Sequence, residues 1–335
     1  MLSQADVTSV PAGMSIATHQ ADGPSLDRAA VFEQYRARLF GIAYRMLGSV
    51  DDAQELTQEA YLRWHQADAT EIRAPEGWLG AVITRLSIDK LRSAAWEREQ
   101  YVGAWLPEPI ATDAPSAPDR QAELASDLSM AFLVLLERLG PDERAAFLLR
   151  EVLDAGYDEI AKVLDRSEAG CRQLIHRARE RLRDERRQVA MSAQEKATLT
   201  ERFLGALRAG DRDALLSLVA PNATWTSDGG GIVSATRRVI VGADRITRLL
   251  LGLERKWPFV RHEISWLNGE PGIITTFGDQ LVCTTAIEFS EGGMVAFYRM
   301  LNPRKLRHAR GAPLSVLAPN WSCADASRAD ASRTR

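Results

Sequence analysis

Cysteine is scarce in this chain, with three in 335 residues, at positions 171, 283 and 323. An odd number at such wide spacing argues against a disulfide framework and lacks the ligand spacing of a metal site, so neither metal nor cofactor is expected. Reduced thiols fit a cytoplasmic location. Long apolar runs are missing, so no membrane span is expected. The opening MLSQADVTSVPAG has no basic start and no long apolar core, and does not read as a signal peptide. Charge of one sign is lacking as well: 42 Lys and Arg against 45 Asp and Glu leave a net −3. That balance argues against a generally basic nucleic-acid coat protein, so any DNA contact must be local. What remains is ordinary globular composition, 45% hydrophobic and 26% charged, in a chain long enough for two or three domains.

Residues 1–25 are small and polar and are expected to be disordered. The segment 26–100 reads as helical. Phe32, Tyr35, Leu39, Ile42, Ala43, Met46 and Leu47 form one stripe, and Gly48 suits a helix stop. Ser49 to Asp52 resembles a capping box. In the helix that follows, Ala53, Leu56, Ala60 and Trp64 point inward, leaving Asp52, Glu55 and Glu59 on an outer face. After a polar loop at 67–76, a third helix puts Trp78, Leu79, Val82, Ile83, Leu86 and Leu91 on its apolar side, with Trp78 read as core. Residues 101–125 hold four prolines and read as a linker.

A second helical unit, 126–190, contains the most informative stretch. YDEIAKVL (157–164) has one apolar face, Asp165-Arg166 breaks it, and Ser167 can cap the next helix. In that helix Cys171, Leu174, Ile175, Ala178 and Leu182 point inward. Arg172, Gln173, His176, Arg177, Arg179 and Arg183 face out. A basic second helix in a helix-turn-helix suits the major groove, where guanidinium forks meet guanine and spare cations meet phosphate. From 191 to 306 the pattern becomes α+β: helices near 194–209, 211–219 and 242–254, a Gly-rich loop, then β-like runs RHEISWLNG, GIITTFGD, LVCTTAIEF and MVAFYRML. Residues 307–335 read as a flexible tail.

These segments resemble a known family. GSVDDAQELTQEAYLRW (48–64), PEGWLGAVITRLSIDKLR (75–92) and CRQLIHRARERLR (171–183) are similar to the second and fourth domains of extracytoplasmic-function (ECF) sigma factors. WLPEPI (105–110), DGGG (228–231) and NPRKL (302–306) resemble the subgroup with a fused SnoaL-like (NTF2-like) C-terminal cone. The resemblance implies a multidomain protein, two all-α sigma domains and an α+β cone, with core RNA polymerase and promoter DNA as partners. Asp51, Asp52, Glu55, Gln58 and Glu59 match the face that docks on the β′ clamp helices; the fourth domain would meet the β flap. Arg73, Arg85, Lys90 and Arg92 match the region reading the −10 element as single strand. Arg172, Gln173, His176 and Arg177 would enter the −35 major groove, beside Arg166, Ser167, Arg179 and Arg183. Leu174 and Gly170 depart from residues common in the group, so the −35 contact set does not carry over.

In this subgroup the fused domain regulates in place of a separate anti-sigma protein. The resemblance puts Trp105, Leu106, Pro107, Glu108 and Pro109 at a pivot. Asp228, Gly229, Gly230, Gly231, Asn302, Pro303, Lys305 and Leu306 belong to the same interface. Substituting Asp228 or Asn302 is expected to change transcription with little loss of stability. Asp228 and His262 are the acid–base candidates in the cone. His262, at a strand start, can equally face solvent, and no catalytic residue is assigned. Trp225, Trp257, Phe259, Trp266, Phe277, Phe289, Phe297 and Tyr298 read as core or pocket lining, and a small-molecule ligand is a possible partner. Two other functions stay open: a ligand-responsive helix-turn-helix regulator, and a SnoaL-type isomerase or cyclase.

Overall fold

Asp27 starts the first helix by accepting the N–H groups of Ala29 and Ala30 on its carboxylate, in a computed structural model that describes residues 27–68, 72, 74–112, 128–182 and 191–309. The expectations for residues 1–25, for Arg73 and Arg183, and for the tail from 310 onward lie outside the described residues. Helix α1 (Arg28–Leu47) ends at Gly48, whose φ of 66° only glycine adopts without strain. Helix α2 (Val50–Gln66) starts at Ser49, whose hydroxyl accepts the Asp52 N–H. The expected capping box forms only in this half. Asp52 does not turn back to Ser49; its carboxylate meets Lys90 at 2.9 Å on α3 (Pro75–Glu99). The three helices bury the stripe read from the sequence, and Trp78 packs on Trp64 with ring centres 5.8 Å apart.

The second unit comprises α4 (Met130–Leu136), α5 (Pro141–Glu151), α6 (Tyr157–Leu164) and α7 (Glu168–Leu182). Pro141 occupies the first turn of α5, where its missing N–H costs nothing. Ser167 caps α7 by accepting the Gly170 N–H at 3.1 Å. Cys171, Leu174, Ile175, Ala178 and Leu182 are all buried, as their spacing predicts.

The third unit is α+β. Helices α8 (Ala193–Ala209), α9 (Arg212–Leu218) and α10 (Ala243–Lys256) accompany six strands: β1 (Val219–Asp228), β2 (Ile240–Val241), β3 (Arg261–Leu267), β4 (Glu270–Phe277), β5 (Gln280–Ser290) and β6 (Gly293–Met300). Their order is β2-β1-β6-β5-β4-β3. The β1–β6 pair is parallel and the other neighbouring pairs are antiparallel. This is the α+β unit that the sequence predicts, a six-stranded sheet with helices packed on it. Strands β1 and β2 fall where the sequence reads as a Gly-rich loop. Pro221 and Asn222 blur the alternation of β1, whose buried Ala223, Trp225 and Ser227 face one way.

Both faces of the sheet are covered. Phe203, Leu207, Ile246 and Leu250 pack over one face with Trp225 and Phe297. On the other, Ile274, Leu281 and Met300 join Leu106 of the linker, Leu306 and Ala309, with Val134 of α4 against them. A loose tail beginning at 307 is therefore corrected: Ala309 is fully buried, and the carbonyl of His308 accepts the Ala111 N–H. Phe259, expected as core or pocket lining, is 49% exposed.

Candidate functional site

The three short motifs meet at one place. Asp228, at the end of β1, has no solvent exposure. Its Oδ2 accepts the Leu106 N–H at 2.9 Å and Lys305 Nζ at 2.8 Å. Its Oδ1 accepts the Tyr101 hydroxyl at 2.6 Å and the Gly230 N–H at 3.0 Å. Lys305, in the 3-10 turn Pro303–Lys305, also donates to the Leu106 carbonyl at 2.7 Å and lies 4.0 Å from the Trp105 ring centre. Asn302 caps that turn and donates to the Tyr101 hydroxyl. Burial, and then the Asp228 carboxylate, push the Tyr101 phenol well above its ordinary value, keeping it a neutral donor.

Glycines let the backbones approach. A Cβ on Gly230 would fall 2.3 Å from Asn302 Nδ2, and one on Gly229 2.2 Å from the Val233 carbonyl oxygen. At the other end of the linker motif, a Cβ on Gly48 would strike the Trp105 indole at 2.6 Å. Pro107 and Pro109 are buried. Glu108 bridges to the first helices: its Oε2 accepts the Val50 N–H at 2.8 Å, its N–H donates to Gly48, and its carbonyl accepts the Tyr44 hydroxyl. Burial raises the Glu108 carboxyl above the usual range, against the lowering effect of the Val50 N–H. Tyr44 in turn accepts Asn268 Nδ2 at 2.7 Å, and Asn268 exchanges two hydrogen bonds with Ile110. Tyr44, Tyr101 and Asn268 were missed from sequence. The Asn268-Gly269 turn was a visible signal, but nothing local marks its partners.

The acidic face expected to dock on polymerase is partly occupied. Lys90 Nζ bridges Asp52 and Glu55, and those hydrogen bonds raise its pKa. Asp51 meets His308 Nε2 at 2.9 Å and Arg307 at 3.6 Å, both from the end of the third unit. Glu59 pairs with Arg63, and Gln58 is exposed.

Two of the residues expected at the −10 element, Arg85 and Arg92, turn toward the second sigma unit. Arg85 donates to the carbonyls of Lys162 and Val163, the free carbonyl end of α6. Arg92 and Arg166 converge on Asp142 at 2.7 and 2.6 Å. On the second helix, Arg172 pairs with Glu168, Arg179 with Glu151, and Arg177 lies 3.9 Å from Glu143. Gln173 and His176 are exposed and, among the described residues, unpaired. Burial pushes the Cys171 thiol up, consistent with a packing residue. The buried Arg144 ties this unit to α1 through the Met46 carbonyl at 2.6 Å.

The two acid–base candidates do not share a site. Asp228 is enclosed in the joint, whereas His262 lines a cavity of about 480 Å³ on the other side of the sheet. His262 is buried, not facing solvent, with Nε2 2.7 Å from Glu254 and Nδ1 2.9 Å from Thr275.

Comparison with known proteins agrees with this arrangement. The model of sigma-70 region 2 matches residues 31–97, and that of sigma-70 region 4 matches 129–182. The chain is 37% identical over 295 residues to the ECF RNA polymerase sigma factor SigJ of Mycobacterium tuberculosis (strain ATCC 25618 / H37Rv), covering 84% of this chain and 93% of that one. It is 30% identical over 282 residues to the probable ECF RNA polymerase sigma factor SigI of Mycobacterium tuberculosis (strain CDC 1551 / Oshkosh), covering 83% and 94%. The crystal structure of Mycobacterium tuberculosis SigJ superposes with a TM-score of 0.67 at 35% identity, over 83% of this chain and 97% of that one. With both sigma regions in order and the match running through the C-terminal unit, the chain belongs to the ECF RNA polymerase sigma factors, which are transcription initiation factors.

Proposed function

We propose that this sigma factor binds core RNA polymerase in the cytoplasm, directs initiation at its own class of promoter, and is held in check by its fused C-terminal domain. The observation carrying this reading is the buried joint of Asp228, Lys305 and Leu106, which fastens the linker to the C-terminal sheet. With the linker fastened, Arg85 and Arg92 bond across the two sigma units while Arg166 pairs with Asp142 inside the second, so groups proposed for the −10 and −35 elements are used internally. Arg307 and His308 reach Asp51 at the edge of the proposed polymerase face. Opening exchanges these contacts for polymerase and DNA, a two-state shift. Within that reading Asp51, Asp52, Glu55, Gln58 and Glu59 meet the clamp helices, and Gln173, His176, Arg172 and Arg177 read the −35 duplex. The C-terminal domain acts by docking, without catalysis; the separation of Asp228 from the cavity of His262 supports this.

Run-off transcription with purified core polymerase, on DNA upstream of this protein's own gene, tests the reading. Full-length protein is compared with a version ending at residue 189. Promoter-specific transcript from both, with more from the shorter one, is the expected result. More transcript from the full-length protein would reverse the sign of the control. No transcript and no core binding by either would favour a helix-turn-helix regulator acting without polymerase.

A further inference from the structure

The cavity inside the C-terminal unit has about 480 Å³, within the roughly 300–1,000 Å³ of small-molecule sites. Phe203, Trp225, Trp257 and Phe297 give it an aromatic wall. Two cations belong to the lining, Arg299 and Lys256, and Arg299 is the half-buried one. Arg299, on β6 between the lining residues Phe297 and Leu301, holds its guanidinium 5.6 Å from the Trp225 ring centre. Among the described residues no carboxylate pairs with it. Of the other charged groups of the lining, Glu254 lies 2.7 Å from His262, and Lys256 is exposed to solvent with its Nζ over the Trp257 ring. Thr236, also in the lining, has a buried hydroxyl without a hydrogen-bond partner among the described residues.

A guanidinium against apolar walls carries a desolvation cost that a bound anion offsets, and its planar fork fits a carboxylate in two parallel hydrogen bonds. A phosphate ester would bring a second charge into the apolar interior, where Arg299 is the half-buried cation and Lys256 stays exposed to solvent. We propose that the cavity binds an apolar monocarboxylate, its carboxylate on Arg299 and its hydrophobic body against Phe203, Trp257 and Phe297.

Such a ligand acts on the joint through shared backbone. Ser227, Arg299 and Leu301 line the cavity, while the intervening Asp228, Met300 and Asn302 face the linker side. Ser227 pairs with Arg299, and Asp228 with Met300, in the parallel β1–β6 ladder. The glycine turn lies between the two sites: Gly229 abuts the cavity-lining Val233 and Ala235, and Gly231 abuts Val102 of the linker. Filling the cavity therefore loads the strands and turn that hold Leu106. This coupling, unlike the binding itself, rests on the regulatory reading above.

The test is calorimetric titration of the full-length protein with 2-naphthylacetate and decanoate, each beside its neutral amide. The acids are expected to bind with amides about ten-fold weaker or more, as loss of a charge-assisted pair implies. Arg299→Met is expected to remove the preference for acid over amide. The comparison of acid with amide on the unaltered protein needs no variant, so a misfolded variant does not decide the matter. Equal affinity for acid and amide, or no binding of either acid, would overturn the proposal. No polymerase is present, so these failures leave the sigma reading intact. Binding that leaves run-off transcript unchanged would overturn the coupling and keep the site.

Discussion

Lys305 Nζ lies 2.8 Å from Asp228 Oδ2, and the Asp228 side chain has no exposure to solvent. The same ammonium donates to the Leu106 carbonyl and lies over Trp105, so one cation holds together three motifs spread over about two hundred residues. A buried pair of this kind is weak evidence for stability but strong evidence for a specified arrangement, since removing either partner strands the other.

Lys305→Met tests that arrangement. With Asp228 left buried and its cation gone, we expect a loss of about 3–5 kcal/mol in the unfolding of the C-terminal unit, read by thermal melting. This burial revises the sequence-based expectation that Asp228 could be replaced at little cost. Lys305→Met together with Asp228→Asn should recover part of the loss. A single variant that melts like the parent would show that the joint does not form in solution.

Glu108 predicts a pH dependence. Its carboxyl is raised in the folded protein, chiefly by burial, so the folded state holds its proton more tightly than the unfolded chain. The unfolded value is near the ordinary 4.5. Stability is thus fullest below that value and falls as pH rises from there through the raised value. Glu108→Gln keeps an oxygen for the Val50 N–H and removes the titration. Melting curves across this window should show the variant gaining on the parent as pH rises; parallel curves would count against a raised Glu108.

Two glycines should respond in opposite directions to alanine. Gly230 has φ +61° with Asn302 and Tyr101 against the site of a Cβ; strain alone should cost roughly 1–2 kcal/mol. Gly205, inside α8, has nothing within 4 Å of that site, and alanine there should stabilise by roughly 0.5–1 kcal/mol. Denaturant titration of both variants checks the pair, and a stabilising Gly230→Ala would contradict the packing of the glycine turn.

Asp142 is shared by Arg92 and Arg166, whose side chains are 58% and 47% exposed. Each exposed pair is worth about 0.2–1 kcal/mol at most, and salt weakens it. Asp142→Asn should leave the melting temperature nearly unchanged while shifting the sigma units toward a more open form. Added salt should do the same to the parent. Small-angle scattering reads both; an unchanged radius of gyration in each case would show that the Arg92–Asp142 pair, the one of the two that crosses between the units, does not hold them together.

Much of the helical part was legible because its signals are local. The spacing of Cys171, Leu174, Ile175, Ala178 and Leu182 and the Ser167 cap each depend on residues within a turn or two, and the structure buries and caps them accordingly. Strand β1 was not legible. Pro221 and Asn222 interrupt its pattern, and its membership in the sheet comes from a parallel partner about seventy residues away. The capping box at Ser49 failed halfway because Lys90, from another helix, offered Asp52 a charge.

By itself, the sequence determined most of the helices, which of their faces are apolar, and which family the chain resembles, because helix periodicity and motif order are written in near neighbours. Only the tertiary structure decided what those elements touch. The carboxylate of Asp228 is ordinary in sequence, yet it becomes the centre of the joint when folding excludes water from it and brings Tyr101, Leu106 and Lys305 within hydrogen-bond reach. Arg299 likewise lies in a strand of no special pattern, and only closure of the cone leaves its charge facing an apolar cavity. In both cases the energetics come from desolvation, which depends on everything packed around a group and so cannot be read from its neighbours along the chain.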